Sequence, residues 1–203
     1  MKKAILFCIT GLLTLSLTSC SIIAKHANTI TQTQLTEREK SLLSLSDSNY
    51  FVFDYSVDNS YNWVTVWEEQ YESGKKTSGF EVSEKIKPNS EGMIIATMNQ
   101  YSDKKVYDWT IGVVNNGGST STAQIKETCK NTVSRQLTAF NSLKQIPIST
   151  TAIGLAFIGY NNSPISSPPT DSFFENPDKN LKQISNDQLV YLIKCKFSKT
   201  KGF

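Results

Sequence analysis

Residues 50–71 read YFVFDYSVDNSYNWVTVWEEQY, two runs of alternating side chains parted by a turn. Phe51, Phe53, Tyr55 and Val57 fall on one face, and Val57-Asp58-Asn59-Ser60 then reverses the chain. Tyr61, Trp63, Thr65, Trp67 and Tyr71 continue with period two, opposed by Val64 and Val66. A period of two is the signature of a half-buried strand, because successive side chains leave a strand on opposite sides. The same punctuation continues downstream. A loop over 74–79 precedes a weaker strand from Phe80 to Ile86, and the turn 88–92 precedes a strand from Met93 to Tyr101. After 102–105, Val106 to Val114 carries Tyr107, Trp109, Ile111 and Val113 on one face. Short strands separated by turn clusters at roughly ten-residue intervals predict a β-sandwich or barrel.

Towards the C-terminus, Ile125, Cys129, Val133 and Leu137 recur every fourth residue, as in a helix, while the Thr and Ser between them favour a strand. The β-like neighbours on both sides decide for strand. Strands are also expected over Gln145 to Ser149, Ala152 to Tyr160 and Gln188 to Phe197, the last with Leu189, Tyr191, Ile193, Cys195 and Phe197 on one face. Asn161 to Pro177 holds four of the six prolines and reads as a long irregular loop, followed by a helical turn near Lys179 to Ile184. One helix is expected earlier. Thr36 and Glu39 form a capping box ahead of Leu42, Leu43 and Leu45, a stripe suited to packing on the domain. The expectation is one mainly β, sandwich-like domain over residues 36–203 with a short N-terminal helix.

The first twenty residues carry a different signal. Lys2 and Lys3 precede an uncharged, mostly apolar run from Ala4 to Leu17, too short to span a bilayer and of the length of a secretory h-region. It ends in Leu17-Thr18-Ser19-Cys20, which resembles the lipobox of bacterial lipoproteins. That resemblance implies a signal peptide over 1–19, cleavage between Ser19 and Cys20, and a diacylglyceryl group on the Cys20 sulfur. Two acyl chains make anchoring stable where one is reversible. The implied location is the extracytoplasmic face of the cell membrane. Residues 20–35 read as a flexible tether, rich in Thr, Gln and Asn, with a span of roughly 20 Å. Beyond the lipobox, Thr36-Glu37-Arg38-Glu39, Tyr50 to Tyr55 and the Trp63 to Tyr71 strand resemble small surface lipoproteins of low-GC Gram-positive bacteria. That likeness brings no activity with it.

Charge and residue counts bound the chemistry. The 203 residues carry 21 Lys and Arg, 18 Asp and Glu, one His and four Cys. Loss of Lys2 and Lys3 with the signal leaves a near-neutral chain, which has no basic footprint for nucleic acid. His26 lies in the tether, so a histidine-based triad, dyad or metal site is not expected in the domain. With Cys8 in the signal and Cys20 lipidated, Cys129 and Cys195 remain as a disulfide pair or as two separate thiols. Ser-x-x-Lys spacing occurs at Ser73/Lys76, Ser102/Lys105 and Ser198/Lys201, all in lysine-rich turns or the tail. Asp54, Asp58, Glu68, Glu69, Glu72 and Asp108 supply carboxylates for glycosidase-like chemistry, which needs no histidine. Neither a calcium loop nor a phosphate loop is legible, so no cofactor is expected apart from the lipid. Trp63, Trp67 and Tyr71 are the candidate ligand surface, as sugar or peptide platforms if solvent-facing and as core if buried. Phe173 and Phe174 in the proline-rich loop are either a second such surface or an apolar plug over an open edge of the sandwich. These features point to a non-enzymatic binding, sensing or envelope-interaction domain. The alternatives are a cell-wall carbohydrate module or glycosidase, and an accessory subunit of a membrane complex. Its expected partners are membrane lipid through Cys20 and a wall glycan or membrane protein.

Overall fold

The structure is a computed structural model that describes residues 28–44, 49–100, 106–115, 120–128, 135–162 and 168–201. The signal over 1–19, Ser19, Cys20, His26 and Cys129 lie outside these residues. Two antiparallel sheets face each other. The first orders its strands β7-β6-β5-β2-β1-β9, where β1 is Thr29–Gln32, β2 Asn49–Val57, β5 Ser90–Gln100, β6 Val106–Asn115, β7 Thr120–Thr128 and β9 Ile146–Pro147. The second orders β4-β3-β11-β10-β8, with β3 Trp63–Glu72, β4 Lys75–Lys85, β8 Arg135–Phe140, β10 Ile153–Asn161 and β11 Leu189–Ser198. The protein is a mainly β sandwich, as the alternation indicates.

Period two builds the core directly. Phe51, Phe53, Tyr55 and Val57 of β2, the Tyr107 to Val113 face of β6 and the Leu189 to Phe197 face of β11 all meet in one cluster between the sheets. Tyr107, Tyr160 and Tyr191 stack with ring centroids 5.1 to 6.3 Å apart, and Trp109 lies 5.3 Å from Tyr191. Tilted and edge-on contacts at such separations add to the burial term. One end of the sandwich is tied by polar bonds. The Tyr55 hydroxyl donates to Asn115 Oδ1 at 3.1 Å, and Asn115 Nδ2 donates to the Lys85 carbonyl of the opposite sheet at 2.9 Å.

Four expectations are corrected. Residues 29–32, assigned to the tether, form β1 between β2 and β9, with Ile30 fully buried in the core. Four residues pair because Ile30 anchors them and both neighbouring strands offer backbone partners. The expected loop over 74–79 is mostly strand, since a two-residue turn at Ser73 and Gly74, both with positive φ, returns the chain into β4. The helix α1, Glu37–Ser44, does carry its capping box, with the Thr36 N–H on Glu39 at 2.7 Å and the Glu39 N–H on Thr36 Oγ1 at 3.3 Å. It buries no residue, however, and Leu42 of the expected stripe is 60% exposed, while Leu45 lies outside the described residues.

The fourth correction concerns the proline-rich loop. Its described part contains a short helix, α2, Asp171–Glu175, and two 3₁₀ turns follow at Pro177–Lys179 and Leu181–Ile184. Phe173, Phe174 and Ile184 bury against Phe157, Val190, Leu192 and Tyr71. The segment therefore covers the outer face of the second sheet, and Phe173 and Phe174 form a second small core, the plug of the two readings, though over a sheet face rather than an edge. Each buried phenyl contributes roughly 1.5–3 kcal/mol relative to exposure.

Candidate functional site

β3 decides where the site lies. Val64 and Val66 enter the sandwich core, which sends Thr65, Trp67, Glu69 and Tyr71 to the outer face of the second sheet. The aromatic row thus lies outside the core between the sheets, with Tyr71 in the second small core, and forms no open stacking platform. Trp67 is 7% and Tyr71 4% exposed, and Trp63 is half-buried with the Lys201 ammonium 5.6 Å from its ring centre. On the outer face the polar handles of Trp67 and Tyr71 both donate to Glu69.

Register assembles the rest. On the outer face Trp67 lies opposite Glu81 of β4 and Lys194 of β11, and Glu69 lies opposite Gly79 and Leu192. The β3–β4 ladder slips between Gln70 and Tyr71, so Tyr71 faces Lys76 and Thr77 is the extra residue. This bulge turns Lys76 to the outer face, which regular pairing would have denied it. The result is a network around Glu69. Its Oε1 accepts from Lys76 Nζ at 2.7 Å and Trp67 Nε1 at 3.2 Å, and its Oε2 accepts from Lys194 Nζ at 2.6 Å and the Tyr71 hydroxyl at 2.7 Å. Four donors fill the carboxylate's acceptor sites. Lys194, 1% exposed, reaches onward to Asp178 Oδ1 at 2.5 Å, on the first 3₁₀ turn.

The electrostatics follow from these contacts. Burial works to raise the Glu69 carboxyl, but its bonds to Lys194 and Lys76, the Lys194 charge and the Tyr71 hydroxyl outweigh that and hold it at about 2. Burial and the neighbouring Glu69 carboxylate push the Tyr71 phenol upward. Above the network lies an open groove of about 710 Å³, bounded by Trp67, Glu81, Thr150, Thr151, Asn176 and Asp178. Gly79 forms part of its floor beside Glu69; a Cβ there would sit 2.5 Å from the Glu68 carbonyl oxygen, so only glycine fits.

Other sequence candidates disperse. Glu68 is fully buried on the inner face, opposite Ile193, so the adjacent Glu68 and Glu69 point to opposite sides of the sheet. Asp54 and Asp108 belong to the first sheet, and Glu72 ends β3. A glycosidase needs one carboxyl held protonated across from a second carboxylate. Glu69 is held ionised, with every acceptor site occupied, so it is not the proton donor of such a pair. Lys76 serves Glu69 rather than Ser73, while the Ser198 hydroxyl donates to the Thr200 carbonyl at 2.6 Å. Cys195 is buried in the core, where burial pushes its thiol up; its pairing with Cys129 falls outside the described residues. Among the described residues no group of three or more His, Cys, Asp or Glu is placed to hold a metal, and no helix is long and apolar enough to cross a membrane.

Lys194, Lys76 and Asp178 were missed as site residues. Lys194 does carry a signal, as a lysine among apolar residues on both sides of a strand, between Ile193 and Cys195. Such a residue implies a counter-ion on the same face. A comparison with protein families matches a YgaN domain over residues 29–197. No curated protein and no solved structure matches the chain.

Proposed function

We propose, for a chain that belongs to the YgaN domain family, a lipid-anchored extracytoplasmic domain that binds a cell-wall glycan without catalysing a reaction. The binding surface is the groove on the outer face of the second sheet. The observation that carries this reading is the Glu69 network beneath the groove. A fully bonded, ionised carboxylate between two ammonium groups stiffens a floor and suits recognition, while it lacks the protonated acid that hydrolysis requires. Hydroxyls and an amide from Thr150, Thr151 and Asn176 line the walls, the donors and acceptors that a polyhydroxy ligand needs. The anchor is supported by Lys2, Lys3, the apolar run and Leu17-Thr18-Ser19-Cys20, with Cys20 the lipidated residue and membrane lipid its partner.

The test is co-sedimentation of the full chain with purified peptidoglycan, comparing wild type with Thr151→Arg. Thr151 is exposed on the groove wall, so the arginine fills the groove and leaves the core intact. Wild type is expected to sediment and the variant to stay in solution. Equal sedimentation of two folded proteins overturns the groove as the site.

A second reading is an accessory subunit of a membrane complex. It draws on α1, whose Leu42 is 60% exposed. Loss of a crosslinked membrane partner in Leu42→Asp, with peptidoglycan binding unchanged, would favour it.

A further inference from the structure

We infer that the groove's ligand carries a carboxylate, and that Asp178 occupies the position on Lys194 which this carboxylate takes. The inference rests on the groove being the ligand site and adds the chemistry of what enters it. Glu69 is bonded to two ammonium groups, so Lys76 already balances its charge. Lys194 is left with one positive charge in a nearly water-free position, and Asp178 answers it.

Asp178 differs from the rest of the network. Its side chain is 62% exposed, against 9% for Glu69 and 1% for Lys194. Glu69 and Asp178 line the groove, so a ligand meets Lys194 through its two carboxylate partners. The turn that carries Asp178 is held without its carboxylate. Asn180 donates its backbone N–H to the Pro177 carbonyl at 3.0 Å, and its side-chain amide to the Asn176 and Ser172 carbonyls at 2.9 and 3.0 Å. Rotation of the Asp178 side chain therefore uncovers Lys194 and leaves the turn in place. A buried ammonium stripped of one counter-ion is unfavourable, so the opened position favours another anion.

The geometry selects a carboxylate over a phosphate. Glu69 Oε2 and Asp178 Oδ1 share one nitrogen at 2.6 and 2.5 Å, which keeps the two acids within about 5 Å of each other. With Glu69 balanced by Lys76, a monoanion on Lys194 keeps the cluster neutral, whereas a dianion leaves it one negative charge in excess beside Glu69. A planar monoanion reproduces what Asp178 already presents. Combined with the hydroxylic walls, the ligand class is an acidic saccharide of the wall.

The experiment is titration calorimetry on the full chain in mild detergent with N-acetylmuramic acid, its methyl ester and N-acetylglucosamine. The acid and N-acetylglucosamine differ by the lactyl ether and its carboxylate. Asp178→Asn removes the internal competitor, and the acid is expected to bind it about tenfold more tightly than it binds wild type. N-acetylglucosamine should change less than twofold. In wild type the acid should exceed its methyl ester several-fold, a comparison that does not depend on a variant folding. Binding of all three sugars with no preference for the acid, or an Asp178→Asn effect common to all three, overturns the inference and leaves the groove reading standing. Failure of every sugar to bind either protein overturns both.

Discussion

Replacing Lys194 by Met tests the network most severely. The methionine keeps the length and apolar contacts of the lysine stem and removes only the ammonium. Glu69 then keeps Lys76, Tyr71 and Trp67 but loses its best-buried partner, at 2.6 Å. Breaking a buried pair from one side costs about 3–5 kcal/mol, because the remaining charge is left under-compensated. Lys76 persists as a partner and Asp178 is solvated, which places the expected loss near the lower end, about 3 kcal/mol. For a chain of this size that corresponds to a fall in Tm of roughly 6–12 °C. The assay is urea unfolding at pH 7, followed by circular dichroism, on Lys194→Met, Glu69→Gln and the double variant. The double variant should lose less than the sum of the singles by about 1.5 kcal/mol or more, since once Glu69 is neutral the ammonium has less to balance. A Lys194→Met loss below about 1 kcal/mol, or strict additivity, would refute the claim that this pair organises the outer face.

Three further outcomes are expected, from the Glu69 network, from the small core under α2 and from the N-terminal sequence. Glu69 is held at about 2 against an ordinary 4.5, so its contribution is complete above about pH 4.5 and is lost as the pH falls towards 2. Linkage puts this at about 1–3 kcal/mol after allowing for screening from the groove, and Glu69→Gln should flatten that part of the stability–pH curve. Phe173→Ala should cost about 3–5 kcal/mol by emptying the small core under α2, with protease cleavage appearing first within residues 168–187. Intact-mass analysis of the mature N-terminus should show a diacylglyceryl group on Cys20 that Cys20→Ala lacks; an unlipidated wild type would contradict the anchor.

Much of the fold could be read from period two alone. β2 and β6 each pair one large apolar face with a contrasting one, so both strand and core face were legible, while β11 is apolar on both faces apart from Lys194, Lys196 and Ser198 and was legible as a strand. β3 was legible as a strand but not for its facing, because valines occupy one side and aromatics the other, and both are good core residues. The valines join the core between the sheets, while Trp67 and Tyr71 bond to Glu69 on the outer face, a choice that depends on contacts distant in the chain. β1 was hidden by Thr and Gln around a single Ile30, too little apolar pattern to distinguish a strand from a tether. The site was legible only in part. Trp67, Glu69 and Tyr71 were singled out, but Lys76 joins them through a bulge and Asp178 through the packing of Phe173 and Phe174. Neither event has a local sequence pattern; both depend on register and on contacts distant in the chain.

Hydrogen exchange with mass-spectrometric readout, on the full chain with and without soluble peptidoglycan fragments, addresses the groove as a whole. Added protection should be confined to residues 67–81, 150–152 and 176–179, with the first sheet and α1 exchanging as in the free protein. Protection of α1 or of the outer face of the first sheet, or no change anywhere at saturating fragment, would contradict the outer groove as the place where this domain meets its ligand.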